Sequence, residues 1–136
     1  MQKPDSHYAS WIKIAEEDLV SAKLLANEDL STALFHVQQC VEKTLKGYVF
    51  FKNHPNFLTH NLLKLVFICM RFDPSFETLA PLAAEITPYA FVGRYPDASF
   101  QKPDQKQMHE ITVQAEYVFN FVITKIKSAT SPCQRG

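Results

Sequence analysis

Glycine is scarce in this sequence, with three residues in a chain of 136. Gly47, Gly93 and Gly136 lie far apart, so no stretch has the glycine spacing of a P-loop or of a dinucleotide-binding turn. Both motifs need several glycines close together, because the backbone must approach a phosphate closely. Nucleotide binding of these two kinds is therefore excluded.

Cysteine and histidine are also few and are poorly spaced for metal binding. The three cysteines are an odd number without metal-ligand spacing. The five histidines are scattered, and none has a second histidine four residues away beside a carboxylate, so we predict neither a metal site nor a cofactor. Cys40 and Cys69 fall inside apolar helical patterns, where a free cysteine acts as a small hydrophobic residue. We therefore expect a reducing, cytoplasmic setting.

The chain has neither an excess of one charge nor a long hydrophobic run. Lysine plus arginine equals aspartate plus glutamate, at 14 each, so no overall field would attract DNA or anionic lipid. The first residues lack the apolar run of a signal peptide, and no segment approaches the length of a membrane span. We expect a soluble protein that binds neither membranes nor DNA.

What the sequence does have is a large share of apolar residues at helical spacing. Hydrophobic residues make up 46%, which in a chain of this length is enough for one domain with a core. We assign residues 1–128 to this domain and residues 129–136 to a flexible tail. No stretch shows the alternation of a convincing β-strand. The sequence predicts an all-α fold, an up-and-down bundle of four long helices plus a short extra helix.

Capping residues and prolines set the expected boundaries of the first two helices. The first helix is expected to begin near Asp5 or Ser6 and to end near Ala26. Ser31 is expected to cap the second, which should pack on the first as an antiparallel hairpin and end before Pro55.

The later helices have similar signals. The third is expected to be mostly buried and to be capped by Thr59 or Asn61. Asp73-Pro74 begins a fourth helix, in which Pro81 predicts a kink. Pro103-Asp104 begins the last long helix.

The second helix has two different faces. Val37, Val41 and Leu45 repeat every four residues and predict the face that meets the core. Gly47 costs about 1 kcal/mol relative to alanine in a helix, which the close approach of another backbone, most simply that of a crossing helix, would explain. A neighbouring stripe has polar groups that a purely structural helix does not require. The members of this polar stripe are Phe35, Gln38, Gln39, Glu42 and Lys46.

Two residues of the first helix stand beside its apolar face. We interpret Trp11 as a core or interface anchor, because large aromatic side chains usually take that role. We interpret Asp18 as a solvated acid, because aspartate is rarely buried.

Four separated motifs occur in an order that resembles one known family. They are Trp11-x-x-x-Ala15-Glu16-x-Asp18-Leu19, Phe35-His36-x-Gln38-Gln39-x-x-Glu42-Lys43-x-x-Lys46, Thr59-His60-Asn61-Leu62 and Arg94-Tyr95-Pro96-Asp97. In this order they closely resemble the HEPN (higher eukaryotes and prokaryotes nucleotide-binding) domain family, over roughly residues 8 to 127. The resemblance implies a helical bundle, usually a homodimer, often encoded beside a small nucleotidyltransferase in a toxin–antitoxin-like setting. Some members bind nucleotides and others are ribonucleases.

The family's ribonuclease branch is marked by an arginine and a histidine with four to six residues between them. After Arg94 those places hold Ser99, Phe100 and Gln101, and neither Arg71 nor Arg135 has such a histidine. The departure removes the acid–base histidine of that branch. The resemblance therefore points to the nucleotide-binding branch, and no catalytic residue is assigned.

The candidate site combines the polar stripe with the loop that contains Arg94-Tyr95-Pro96-Asp97. The planar fork of Arg94 can bind a phosphate, Lys43 and Lys46 offer point charges, and Tyr95 or Phe35 can stack on a base. The candidate ligand-binding residues are Phe35, Gln38, Gln39, Glu42, Lys43, Lys46, His60, Arg94, Tyr95 and Asp97.

The same residues also allow structural interpretations. Glu42 precedes Lys46 by four positions, the favourable order for an ion pair within a helix. Arg94 and Asp97 can brace a loop, and His60 can order the loop before the third helix. The two glutamines can also form hydrogen bonds across a dimer.

Three hypotheses follow. The chain is a homodimer that binds a nucleotide or phosphate beside a nucleotidyltransferase partner, or a helical interaction module without a ligand. In the third, it is a ribonuclease that uses a displaced histidine such as His60 or His109.

Overall fold

The computed structural model describes residues 4–54, 59–91 and 103–130, and these residues form an all-α bundle. Its five α-helices are α1 (Pro4–Leu25), α2 (Leu30–Phe51), α3 (Leu62–Met70), α4 (Ala80–Ile86) and α5 (Gln105–Thr130). Two 3-10 helical segments, Pro74–Leu79 and Thr87–Phe91, flank α4. The predicted all-α up-and-down bundle is confirmed. Three of these helices exceed twenty residues, whereas α3 and α4 have nine and seven.

Aspartate and asparagine side chains cap α2, α3 and α5, and one predicted cap is wrong. The α2 helix begins at Leu30, and Asp29 rather than Ser31 caps it, since Asp29 Oδ1 accepts a hydrogen bond from the Thr32 backbone N–H at 3.2 Å. Asn61 caps α3 in the predicted way. Asp104 caps α5, as expected, by accepting a hydrogen bond from the Gln107 N–H.

The segment from Asp73 to Ile86 differs from its prediction. Asp73 accepts a hydrogen bond from the Ser75 N–H, as expected for an N-cap followed by proline. The chain then forms a 3-10 helix, and α4 begins only at Ala80. The predicted kink at Pro81 is wrong, because Pro81 lies in the first turn of α4, where a missing N–H leaves no helical bond unmade.

The α3 helix is mostly buried, as predicted, apart from two exposed residues. Leu62, Leu65 and Val66 are buried, whereas Lys64 and Phe67 are exposed. The apolar sequence hides this difference, because Phe67 is apolar but points to solvent.

The contact between α1 and α2 is the most extensive in the described part of the bundle. The predicted core face of α2 is buried. Val37, Val41 and Leu45 are buried. A Cβ atom added to Gly47 would lie 2.7 Å from Ile12 Cδ1, so a side chain of α1, and not the closely approaching backbone that was predicted, fills the space beside this glycine. None of the described helices is long and apolar enough to cross a membrane.

Candidate functional site

A buried carboxylate, Glu42, is the centre of the polar stripe on α2. Only 4% of Glu42 is exposed. Its Oε2 accepts hydrogen bonds from Lys46 Nζ and His60 Nδ1, both at 2.8 Å, and its Oε1 accepts one from Gln38 Nε2 at 3.2 Å. Gln39 Nε2 donates to Gln38 Oε1 at 2.7 Å. We call these five residues the Glu42 cluster.

The hydrogen bonds keep the Glu42 carboxylate ionised despite its burial. Burial alone would raise the pKa of this carboxyl group, because a charged form loses its hydration. The hydrogen bonds from Lys46, His60 and Gln38 outweigh that effect and hold the pKa below its usual value. The cluster therefore contains a fixed negative charge that two basic side chains face.

Lys46 connects the Glu42 cluster to α1. Its Nζ lies 5.5 Å from the centroid of the Trp11 ring, within the range of a cation–π contact. Trp11 in turn stacks on Phe50 of α2, with 5.6 Å between the ring centroids. Trp11 is half-buried and joins α1 to α2 through these two contacts, so its role as a core or interface anchor stays a prediction.

A second buried carboxylate, Asp18 on α1, binds the neighbouring basic residues of α2. Asp18 Oδ1 accepts a hydrogen bond from His36 Nδ1 at 2.8 Å, and Asp18 Oδ2 accepts one from Lys43 Nζ at 3.3 Å. We call these three residues the Asp18 cluster. The interpretation of Asp18 as a solvated acid is wrong, because α1 packs against α2 on this side and buries the carboxylate.

Most of the predicted site residues on α2, together with His60 before α3, enter one of the two clusters. Gln38, Gln39, Glu42, Lys46 and His60 form the first, and Lys43 joins the second. The ring of Phe35 lies against that of His36, with 5.8 Å between the centroids. Arg94, Tyr95 and Asp97 lie outside the described residues, so their place beside α2 stays a prediction.

Sequence reasoning missed two members of the site, Asp18 and His36. A signal for Asp18 was present, because it follows Ala15 by three residues and precedes Ala22 by four, and both alanines are fully buried. A polar residue on the same helical stripe as two core alanines faces a neighbouring helix. His36 had no comparable signal, since its partner lies on another helix.

The clusters bring together two lysines and two histidines, each held by a carboxylate. The outer side of this array is accessible: 83% of the His60 side chain is exposed, and 26% of His36 and 24% of Lys43. Ammonium and imidazolium groups donate hydrogen bonds to phosphate and carboxylate oxygens. In the described parts of the chain, no group of three or more His, Cys, Asp or Glu residues is placed to hold a metal ion.

A separate groove of about 560 Å³ lies between the end of α1 and the first half of α5. An ion pair between Lys23 and Glu116, with 3.0 Å between Nζ and Oε2, lines it together with His109. His60 and His109, the two candidates for a displaced histidine, therefore lie in different places. Only His60 is hydrogen-bonded to a buried carboxylate.

Comparison with known proteins agrees with the motif order. A family model described as the HEPN domain matches residues 8–127. The chain belongs to the HEPN domain family. The crystal structure of an archaeal HEPN homologue is similar to this HEPN chain, with a TM-score of 0.71, 25% sequence identity, and coverage of 93% of this chain and 100% of that one. No curated protein matches the sequence.

Proposed function

We propose that this HEPN protein is a cytoplasmic homodimer that binds a nucleotide or another phosphate compound and works beside a small nucleotidyltransferase in a toxin–antitoxin-like setting. The observation that supports binding is the set of partly exposed basic side chains in the two clusters. Lys43 and His36 belong to α2 and His60 to the loop before α3.

The chemistry of these groups suits a phosphate compound. A lysine ammonium is a compact charge that binds phosphate from many directions, and a protonated histidine donates from both ring nitrogens. Each histidine meets its carboxylate through Nδ1, so its Nε2 faces away from that carboxylate. Arg94, with Tyr95 and Asp97, would complete the site, and Phe35 would offer a ring for a base.

Binding is preferred to RNA cleavage because the histidine of the ribonuclease branch is absent. With four to six residues between the two, the histidine that follows Arg94 would stand at position 99, 100 or 101. These positions hold Ser99, Phe100 and Gln101. Acid–base catalysis by that route needs an imidazole within reach of the phosphodiester.

Calorimetry and thermal shift with ATP, GTP and a short RNA test the binding. We expect a ligand-dependent rise in melting temperature, because a ligand that binds only the folded protein stabilises it. The Lys43→Met variant should weaken binding at least about tenfold by removing a charged donor. Lys127→Met, a change at an exposed lysine of α5, is the matched control and should bind like the unaltered protein. No binding at millimolar ligand would contradict the proposal.

Dimerisation and the partner need separate measurements. The mass from light scattering should correspond to two chains. A nucleotidyltransferase encoded next to this chain should co-purify with it. A single-chain mass at high protein concentration would rule out the homodimer without affecting the binding experiment.

A helical interaction module without a ligand is the second candidate, and one observation favours it. The chain of hydrogen bonds from Gln39 through Gln38 to Glu42 and Lys46 is satisfied within the protein. Buried networks of this kind can specify how helices pair. A Lys46→Ala variant that loses dimerisation, together with no ligand among the nucleotides tested, would support this candidate.

A further inference from the structure

The exposed hydrophobic side chains are concentrated on α1 and α5. In residues 4–54, 59–91 and 103–130, seven large hydrophobic residues are exposed, and five of them belong to these two helices. Among the five, Val20 is 51% exposed, Leu24 73%, Val113 50% and Tyr117 52%. A single exposed hydrophobic residue is ordinary on a protein surface, whereas a contiguous group marks an interaction site.

Helical spacing arranges these four residues as two ridges. Val20 and Leu24 are four positions apart on α1, so they lie on one side of that helix. Val113 and Tyr117 have the same spacing on α5. Each helix therefore has a short apolar ridge that faces solvent.

The ion pair between Lys23 and Glu116 indicates that the two ridges lie side by side. It joins α1 to α5 directly, with 3.0 Å between Nζ and Oε2. On each helix the residue before the charged one is a fully buried alanine, and the residue after it is the exposed Leu24 or Tyr117. Both helices thus turn their alanine toward the core and their ridge toward the same solvent side. We call this the α1–α5 surface, which consists of Val20, Lys23, Leu24, Val113, Glu116 and Tyr117.

The charges of the α1–α5 surface make it complementary to its own copy. Its basic and acidic side chains have nearly equal exposure, 47% for Lys23 and 43% for Glu116. A surface with one sign of charge would repel a second copy. Here a two-fold axis that runs along the groove between α1 and α5 places α1 of each chain over α5 of the other. Lys23 of each chain then faces Glu116 of the other, and apolar ridge meets apolar ridge.

We propose that a second copy of this chain docks on the α1–α5 surface, with α1 of each chain against α5 of the other. The inference rests on the proposed homodimer and specifies its interface. Asp18 stands two positions before Val20, and such residues point about 200° apart around a helix. The interface is therefore turned away from the Asp18 cluster, and the dimer leaves the basic side chains of that cluster open to a ligand.

Light scattering of the full chain over a dilution series tests the interface. Leu24→Glu and Val113→Glu each place a carboxylate without a partner in the contact, and the two-fold axis places it there twice. We expect the dissociation constant of the dimer to rise at least about a hundredfold in each variant. Phe67→Glu is the matched control, since Phe67 on α3 is 51% exposed and lies on another helix. This variant should keep the two-chain mass.

Charge reversal gives a second measurement of the same contact. Lys23→Glu places two carboxylates against each other and should weaken the dimer. The double variant Lys23→Glu and Glu116→Lys restores opposite charges across the axis and should recover the two-chain mass. Circular dichroism melting curves of all variants show that a change in mass comes from a folded chain.

The outcomes separate the interface from the proposed function. Two-chain masses in Leu24→Glu and Val113→Glu would overturn the interface and leave the homodimer intact. Dissociation of Phe67→Glu as well would overturn the assignment to the α1–α5 surface. A single-chain mass of the unaltered protein would overturn both the interface and the homodimer, and it is the result expected if a helix of another protein occupies the surface. The ligand-binding experiment is independent of all three.

Discussion

The Glu42–Lys46 pair shows what a buried charge contributes at the level of single residues. Both side chains are nearly inaccessible to solvent, so each depends on the other for its missing hydration. Glu42→Ala leaves the Lys46 ammonium buried without its carboxylate, and we expect a loss of about 3 kcal/mol in the free energy of unfolding. Urea denaturation measures this loss.

The double variant Glu42→Met and Lys46→Met removes both charges of the pair, while the methionine side chains still fill its space. Because both charges are removed together, no buried charge is left without a partner, and the double variant should be more stable than Glu42→Ala. A double variant that is less stable than the single one would show that the ion pair itself stabilises the fold. Asp18→Ala should cost less than Glu42→Ala, since Lys43 and His36 are partly exposed and can recover hydration from water.

At the level of elements, the sequence predicted helices well where a capping side chain and an apolar pattern agreed. The start of α5 is an example, because Asp104 and Gln107 form reciprocal hydrogen bonds within four residues. The start of α2 was misplaced because Asp29 and Ser31 are both good caps, and only the structure shows that Asp29 also accepts a hydrogen bond from the Thr32 hydroxyl. The 3-10 segment at Pro74–Leu79 has no distinct sequence pattern, since its apolar spacing resembles that of an α-helix.

Asp73 joins two elements and makes stability depend on pH. Its carboxylate accepts hydrogen bonds from the Ser75 side chain and backbone and forms an ion pair with Lys125 of α5, with 3.0 Å between the charged atoms. Hydrogen bonding to Ser75, more than the ion pair, lowers the pKa of Asp73 from 3.8 to about 2. A lowered pKa in the folded state adds stability that is present above pH 3.8 and is lost as the pH falls toward 2.

The Asp73→Asn variant should therefore show a weaker loss of stability in this acid range. Asparagine keeps the helix cap but has no proton to take up. Urea unfolding between about pH 5 and about pH 2.5 measures the slope of stability against pH, which should be smaller in the variant. Lys125→Met should reduce the slope only in part, because the Ser75 hydrogen bonds remain. Identical slopes in Asp73→Asn and the unaltered protein would contradict the assignment.

At the level of the whole molecule, the family and the fold were accessible from the sequence, whereas the pairing of side chains across helices was only partly so. The Glu42–Lys46 pair was predicted because both residues lie on one helix, where spacing decides which side chains meet. The contacts of Asp18 with His36 and Lys43 depend on how α1 rotates against α2, and helical spacing alone does not fix that rotation. The His60–Glu42 contact depends in addition on the path of the chain before α3.

The core joins all of the α-helices, so we expect the predicted domain of residues 1–128 to unfold in one step. Buried residues from Ala15 on α1 to Ile126 on α5 belong to a single cluster. Trp11 is the only tryptophan in the sequence, and its stacking on Phe50 makes its fluorescence report on the α1–α2 contact. The loss of this fluorescence signal and the loss of helical circular dichroism should have the same midpoint in urea, because small single domains unfold cooperatively. An earlier fluorescence midpoint would mean that α1 separates before the rest of the bundle unfolds. The Asp18 cluster, whose carboxylate is on α1, would then open without global unfolding.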